Sequence, residues 1–127
     1  MKTALIIEDH PDSMVLISRL LEKWGYRTIG AGTGREGIEL ALQNRADFII
    51  LDIQLPDMDG TEVLRSIRAK LGHDTPVIAI TSYAMSGDRE RLLAAGCDGY
   101  IEKPIDPELV LSQIRDVIGE EHEDTDR

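Results

Sequence analysis

Phe48-Ile49-Ile50-Leu51-Asp52-Ile53-Gln54-Leu55-Pro56-Asp57-Met58-Asp59-Gly60 decides how this sequence is read. Phe48 to Leu51 is an unbroken apolar run that ends on a single acid. A run of that length bounded by turn residues reads as a strand buried on both faces, the usual state of a central parallel strand. Asp52 then stands where the strand leaves the core, at the edge where open α/β sheets gather their chemistry. Pro56 and the turn Asp57-Met58-Asp59-Gly60 stop the strand and start a helix. On this segment alone, Asp52 is either a reactive carboxylate or a plain loop cap.

Working outward, the same pattern recurs on both sides. Upstream, Ala4 to Ile7 is a second apolar run ending on Glu8-Asp9, and Pro11-Asp12 open a helix with Met14, Ile17, Leu21 and Trp24 on its apolar face. Gly25 closes that helix, and Tyr26 to Ile29 reads as a short strand. Thr33-Gly34-Arg35-Glu36 has the capping-box spacing, with Ile38, Ala41 and Leu42 as the stripe behind it. Downstream, Asp59 and Glu62 repeat a cap-like spacing before Leu64, Ile67 and Leu71, and Gly72 ends that helix. Val77 to Ile80 is a fourth buried run, ending on Thr81-Ser82. A polar helix over Arg89 to Ala95 stops at Gly96. Gly99 to Glu102 is a fifth strand, followed by Lys103-Pro104. Asp106 as cap and Pro107 at the first helical position begin a last helix, with Val110, Ile114 and Val117 inward and Gly119 at its end.

Strand and helix alternate without a linker, so residues 1–119 are expected to form one domain and 120–127 an acidic, disordered tail. The fold class is α/β: a doubly wound, flavodoxin-like, five-stranded parallel sheet of order 2-1-3-4-5 with helices on both faces. The 127 residues suffice for one core and not for two. A net charge of −10 argues against a nucleic-acid backbone or an anionic membrane as partner. Cys97 is the single cysteine, which excludes an intrachain disulfide and a thiolate metal site. No signal peptide or membrane-length apolar run is present, so the expected location is cytoplasmic.

In such a sheet Glu8-Asp9, Asp52, Thr81 and Lys103 share one edge. Two like charges about 4 Å apart repel by roughly 4 kcal/mol at an effective dielectric near 20. Three carboxylates therefore protonate, take up a cation or bind a metal, and Lys103 offsets one charge at most. A hard divalent ion on oxygens fits, and few protein ligands favour Mg²⁺ over Ca²⁺. Zinc would want more nitrogen than His10 alone offers. A metal-neutralised carboxylate beside a hydroxyl and an ammonium suits a phosphoryl group, with Asp52 attacking phosphorus to give an aspartyl phosphate.

With these residues at these strand ends, the chain resembles the receiver domain of two-component response regulators, over about Lys2 to Gly119. The matching positions are Glu8-Asp9, Asp52 with Pro56 and Gly60, Thr81 and Lys103-Pro104. The resemblance implies that Asp52 accepts phosphate from a sensor histidine kinase or a histidine phosphotransfer protein. It implies Mg²⁺, or Mn²⁺ in its place, held by Glu8, Asp9, Asp52 and the backbone carbonyl of Gln54. Thr81 and Lys103 would hold the phosphoryl group, and Thr81 with Tyr100 would form a switch that changes a docking face for a target protein. It further places the side chains of Gln54 and Tyr83 on either side of the path of hydrolytic water. Neither is a base, so slow self-dephosphorylation is expected, ended by back-transfer or a separate phosphatase. The domain is a regulatory phosphoacceptor rather than an enzyme, and a monomeric, stand-alone regulator without DNA-binding output is expected. Two other classes fit less well. A haloacid-dehalogenase-type phosphatase needs an acid where Gln54 stands, and a flavodoxin-type electron carrier needs a hydroxyl-rich loop where Glu8-Asp9-His10-Pro11-Asp12 stands.

Overall fold

The computed structural model describes residues 2–82 and 88–119. Its strands are β1 (Thr3–Ile7), β2 (Arg27–Ala31), β3 (Phe48–Asp52), β4 (Val77–Thr81) and β5 (Gly99–Glu102). Its helices are α1 (Pro11–Lys23), α2 (Gly34–Gln43), α3 (Gly60–Leu71), α4 (Asp88–Ala95) and α5 (Val110–Ile118). The sheet is parallel throughout in the order β2-β1-β3-β4-β5. The strand order read from the sequence is the one observed.

The period-2 pleat sorts the strand side chains onto two faces. Ala4, Ile6, Phe48, Ile50, Ile78, Ile80 and Ile101 pack with Ile17 and Leu21 of α1 and Val110 and Ile114 of α5. Leu5, Ile7, Ile49, Leu51, Val77 and Ala79 pack with Ala41 of α2, Val63, Leu64 and Ile67 of α3 and Leu92 of α4. Each fully buried aliphatic side chain is worth roughly 1.5–3 kcal/mol. The pleat also fixes the site: Asp52 keeps the phase of Phe48 and Ile50, whereas Thr81 keeps that of Val77 and Ala79. Tyr100 pairs in register with Ala79 and therefore shares the face of Thr81.

Helix starts follow their caps. Thr33 Oγ1 accepts from Glu36 N–H at 3.1 Å, while the Glu36 carboxylate accepts from Gly32 N–H at 3.0 Å. Asp59 Oδ1 accepts from Thr61 N–H at 2.8 Å and opens α3. Gly60 cannot be anything larger, because a Cβ there would lie 2.5 Å from Ile53 Cα.

Four expectations need correcting. Trp24, Leu42 and Leu71 are 48%, 44% and 36% exposed rather than packed. Trp24 and Leu71 lie at the C-terminal ends of their helices, beyond the last buried side chain, and Leu42 lies about 100° round the helix from the buried Ala41. The fourth lies at α5, whose regular helix begins at Val110 rather than Pro107. Asp106 does act as a cap, accepting from Glu108 N–H at 2.9 Å, but the residues it starts form a turn that precedes the helix. The expected tail, 120–127, lies outside the described residues.

Candidate functional site

Glu8, Asp52 and Lys103 leave three strands on one face of the sheet and meet at its carboxyl edge. The ladder continues past the strand ends to hold them there: Glu8 N–H donates to Ala31 O at 2.9 Å, Ile53 N–H to Ile80 O at 3.0 Å and Lys103 N–H to Thr81 O at 2.9 Å. Lys103 Nζ stands 3.2 Å from Asp52 Oδ2 and 3.1 Å from Glu8 Oε1, with Glu8 Oε2 at 3.4 Å. The shortest of the Glu8 approaches is an ion pair and not a hydrogen bond, since its angle leaves Oε1 without a donor among the described residues. Asp52 Oδ1 accepts from Gln54 N–H at 3.0 Å, so both oxygens of a carboxylate only 2% exposed are oriented.

Asp9 is half-buried beside them, and its Oδ1 has no hydrogen-bond donor among the described residues. His10 Nδ1 lies 3.7 Å from that oxygen and 3.9 Å from Glu8 Oε2, and His10 N–H donates to Glu8 Oε2 at 3.0 Å. Ligand atoms of Glu8, Asp9 and His10 fall within 4.8 Å of one another. The His10 side chain is 67% exposed, yet its imidazole leans on the acids.

The electrostatics are those of crowded acids. Burial pushes the Glu8 carboxyl above its usual range, and the neighbouring Asp52 pushes it further. Lys103 is also raised: desolvation pulls it down, but Asp52 and Glu8 together outweigh that. One ammonium is thus held firmly charged among more negative charge than it neutralises. Oxygen donors in excess, two of them orphaned, are a fitting set for a hard cation such as Mg²⁺.

Two clefts open on the site. The larger, about 560 Å³, is lined by His10, Asp12, Ser13, Leu16, Asp52, Gln54, Ser82, Lys103, Pro104 and Ile105. The second, about 520 Å³, lies on the Thr81 side and includes Gln54, Asp57, Asp59 and Arg91. Thr81 is buried at 1% exposure. Tyr100 is half-buried, with the Arg89 guanidinium 5.7 Å from its ring centroid. Tyr83 lies outside the described residues. Sequence reasoning passed over Arg91, whose Nη1 is 4.0 Å from Asp59 Oδ1, because an arginine in a polar helix carries no pattern of its own.

Residues 4–115 match the response regulator receiver domain family. The polar-differentiation response regulators DivK of Brucella anthropi and Brucella ovis are each 40% identical to the chain over 121 residues, covering 94% of it and 98% of their own length. A CheY-like receiver domain protein of Methanospirillum hungatei superposes with a TM-score of 0.87 at 31% identity, covering 98% of both chains. The receiver domain of the sensor histidine kinase PA1611 of Pseudomonas aeruginosa superposes with a TM-score of 0.84 at 34% identity, over 94% of this chain and 98% of that one. That domain carries a magnesium ion coordinated in its active-site cleft.

Proposed function

The chain belongs to the response regulator receiver domain family, and on that footing we propose that it is a switch phosphorylated on Asp52. The observation that carries this reading is the Asp52 carboxylate itself: buried, oriented at both oxygens, and facing an open cleft beside a charged lysine. An Asp52 oxygen attacks the phosphorus of a phosphohistidine; the new O–P bond forms as the P–N bond breaks and the imidazole leaves. Lys103 Nζ, already at Asp52 Oδ2, follows the charge onto a phosphoryl oxygen. Thr81 donates its hydroxyl to another. Glu8, Asp9, Asp52 and the Gln54 carbonyl are the residues that would hold Mg²⁺, or Mn²⁺. The ion would supply countercharge to the phosphoryl oxygens.

The donor is a sensor histidine kinase or a histidine phosphotransfer protein in the cytoplasm, and the receiver of the signal is a target protein. Thr81 and Tyr100 share one face of the sheet, so a hydroxyl drawn toward the phosphoryl group alters the space beside the ring. That biases the surface of α4, β5 and α5. Gln54, with an exposed side chain and no carboxylate, offers no base to activate water, and we expect a slowly decaying phosphate.

Acetyl phosphate with Mg²⁺ tests the acceptor. Intact mass should rise by one phosphoryl group in the parent and not in Asp52→Asn. Persistent labelling of Asp52→Asn would move the acceptor elsewhere, Asp57 and Asp59 being the nearest acids downstream in sequence.

A further inference from the structure

We propose that Asp57 is a positioning residue for the phosphoacceptor site: by gripping the start of α2 it holds the loop that orients Asp52 and carries Gln54. The inference rests on the reading of Asp52 as acceptor.

Asp57 is exposed, yet both its carboxylate oxygens are engaged far away in sequence. Oδ1 accepts from Gly34 N–H at 2.8 Å and Oδ2 from Arg35 N–H at 3.0 Å. The first N–H groups of a helix have no acceptor within it. Thr33 serves only Glu36 N–H, and Asp57 serves two of the others. A carboxylate there also meets the positive end of the α2 dipole. The Arg35 and Gly34 N–H groups hold its carboxyl below the usual range, so the grip outlasts the charge of an ordinary aspartate on acidification.

What Asp57 grips with is the loop between β3 and α3, and that loop is built to transmit position. Gly60 N–H closes its base on Ile53 O at 2.8 Å, and Gln54 bridges Asp59 in antiparallel fashion. Pro56 removes a backbone freedom between them. At its near end Gln54 N–H donates to Asp52 Oδ1. At its far end α2 lies flush on it: a Cβ on Gly34 would come within 2.6 Å of Met58 Cγ. The chain of contacts therefore runs from the α2 amides through Asp57 and the loop to the Asp52 carboxylate. Partners that orient ligating groups from behind are commonly worth about tenfold or more in metal affinity.

A mere cap and a positioning residue differ in what they disturb. Thr33→Ala removes the helix's own cap and leaves the loop alone, so it serves as the control. Mg²⁺ affinity by calorimetry should fall about tenfold in Asp57→Ala, less in Asp57→Asn, which keeps one acceptor, and not at all in Thr33→Ala. Acetyl phosphate labelling of Asp57→Ala should be slow at low Mg²⁺ and recover at saturating Mg²⁺, and the Gln54 carbonyl resonance should move. If Asp57→Ala loses stability as Thr33→Ala does while its Mg²⁺ affinity stays at the parent's value, Asp57 is only a cap and the proposal is overturned. Absence of label on Asp52 in the parent would instead sink the acceptor reading, and this inference with it.

Discussion

Arg68, buried, and Lys103, half-buried, are cations at opposite edges of the same sheet, and their surroundings obey opposite rules. At the amino edge, Arg68 Nε donates to Gly96 O at 2.9 Å, and Nη1 to Gly72 O at 3.1 Å and to Thr75 O at 2.7 Å. Its Nη2 donates to Asp98 Oδ2 at 2.7 Å, an oxygen that also accepts from Val77 N–H at 2.8 Å. One positive charge meets one negative, and the planar fork is filled with acceptors drawn from the approaches to β4 and β5. At the carboxyl edge, Lys103 faces Glu8 and Asp52 with Asp9 beside them, and two carboxylate oxygens have no donor among the described residues. The first cluster is closed and serves the fold. The second is left short of positive charge, as the proposed uptake of a cation and then a phosphoryl group requires.

Three measurements bear on that contrast, the largest effect first. Arg68→Ala removes a buried guanidinium from a half-exposed carboxylate and leaves three carbonyls without that donor. It should cost about 3 kcal/mol by urea denaturation, the low end of the range because Asp98 is 41% exposed. Mg²⁺ affinity should be untouched; a large fall in it would mean that the two edges are coupled. At the other edge, adding Mg²⁺ at a hundredfold excess over Kd should stabilise the parent by about 2.7 kcal/mol. Asp9→Asn should abolish that gain, and a full gain in the variant would remove Asp9 from the ligand set.

The smallest effect is a dependence on pH in metal-free protein. Glu8 is raised in the folded state, so its ionisation there opposes folding above the raised pKa, and this cost vanishes as pH falls through it. Glu8→Gln should therefore exceed the parent in stability at neutral pH, and the gap should close on acidification. Lys103, also raised, contributes stability throughout that window and loses it only in alkali, while the lowered Asp57 and Asp59 lose theirs only below the usual aspartate range. A gap that widens toward acid would show that the Glu8 carboxylate is stabilised rather than crowded.

The carboxyl edge was far more legible in the sequence than the amino edge. A buried strand that ends on a charged or hydroxyl residue breaks an apolar pattern, so Asp52, Glu8, Thr81 and Lys103 each announce themselves. Strand order followed from alternation and chain length. Arg68 announces nothing of the kind: it sits next to Ile67, four residues after Leu64, on the apolar stripe of α3, where a long cation normally reads as the rim of that stripe. Its acceptors are backbone carbonyls, which have no sequence signature at all. Asp57 was hidden for the same reason, since its partners are the amides of Gly34 and Arg35. Trp24 and Leu71 failed for a different cause, because periodicity records a helix's face and not how far along the helix that face is covered.

Trp24, the sole tryptophan, has an optical consequence. It follows the last turn of α1, a helix of 13 residues and therefore roughly 20 Å long, which runs from the carboxyl edge to the amino edge. Its indole is half in solvent, with the Arg115 guanidinium of α5 5.2 Å from the ring centroid. Intrinsic emission therefore watches the seam between α1 and α5, and loss of that seam on unfolding gives it a large signal. Cation uptake at the opposite end of the helix is too distant to quench it by contact. A single cuvette can thus follow unfolding by tryptophan fluorescence while an independent probe follows the metal.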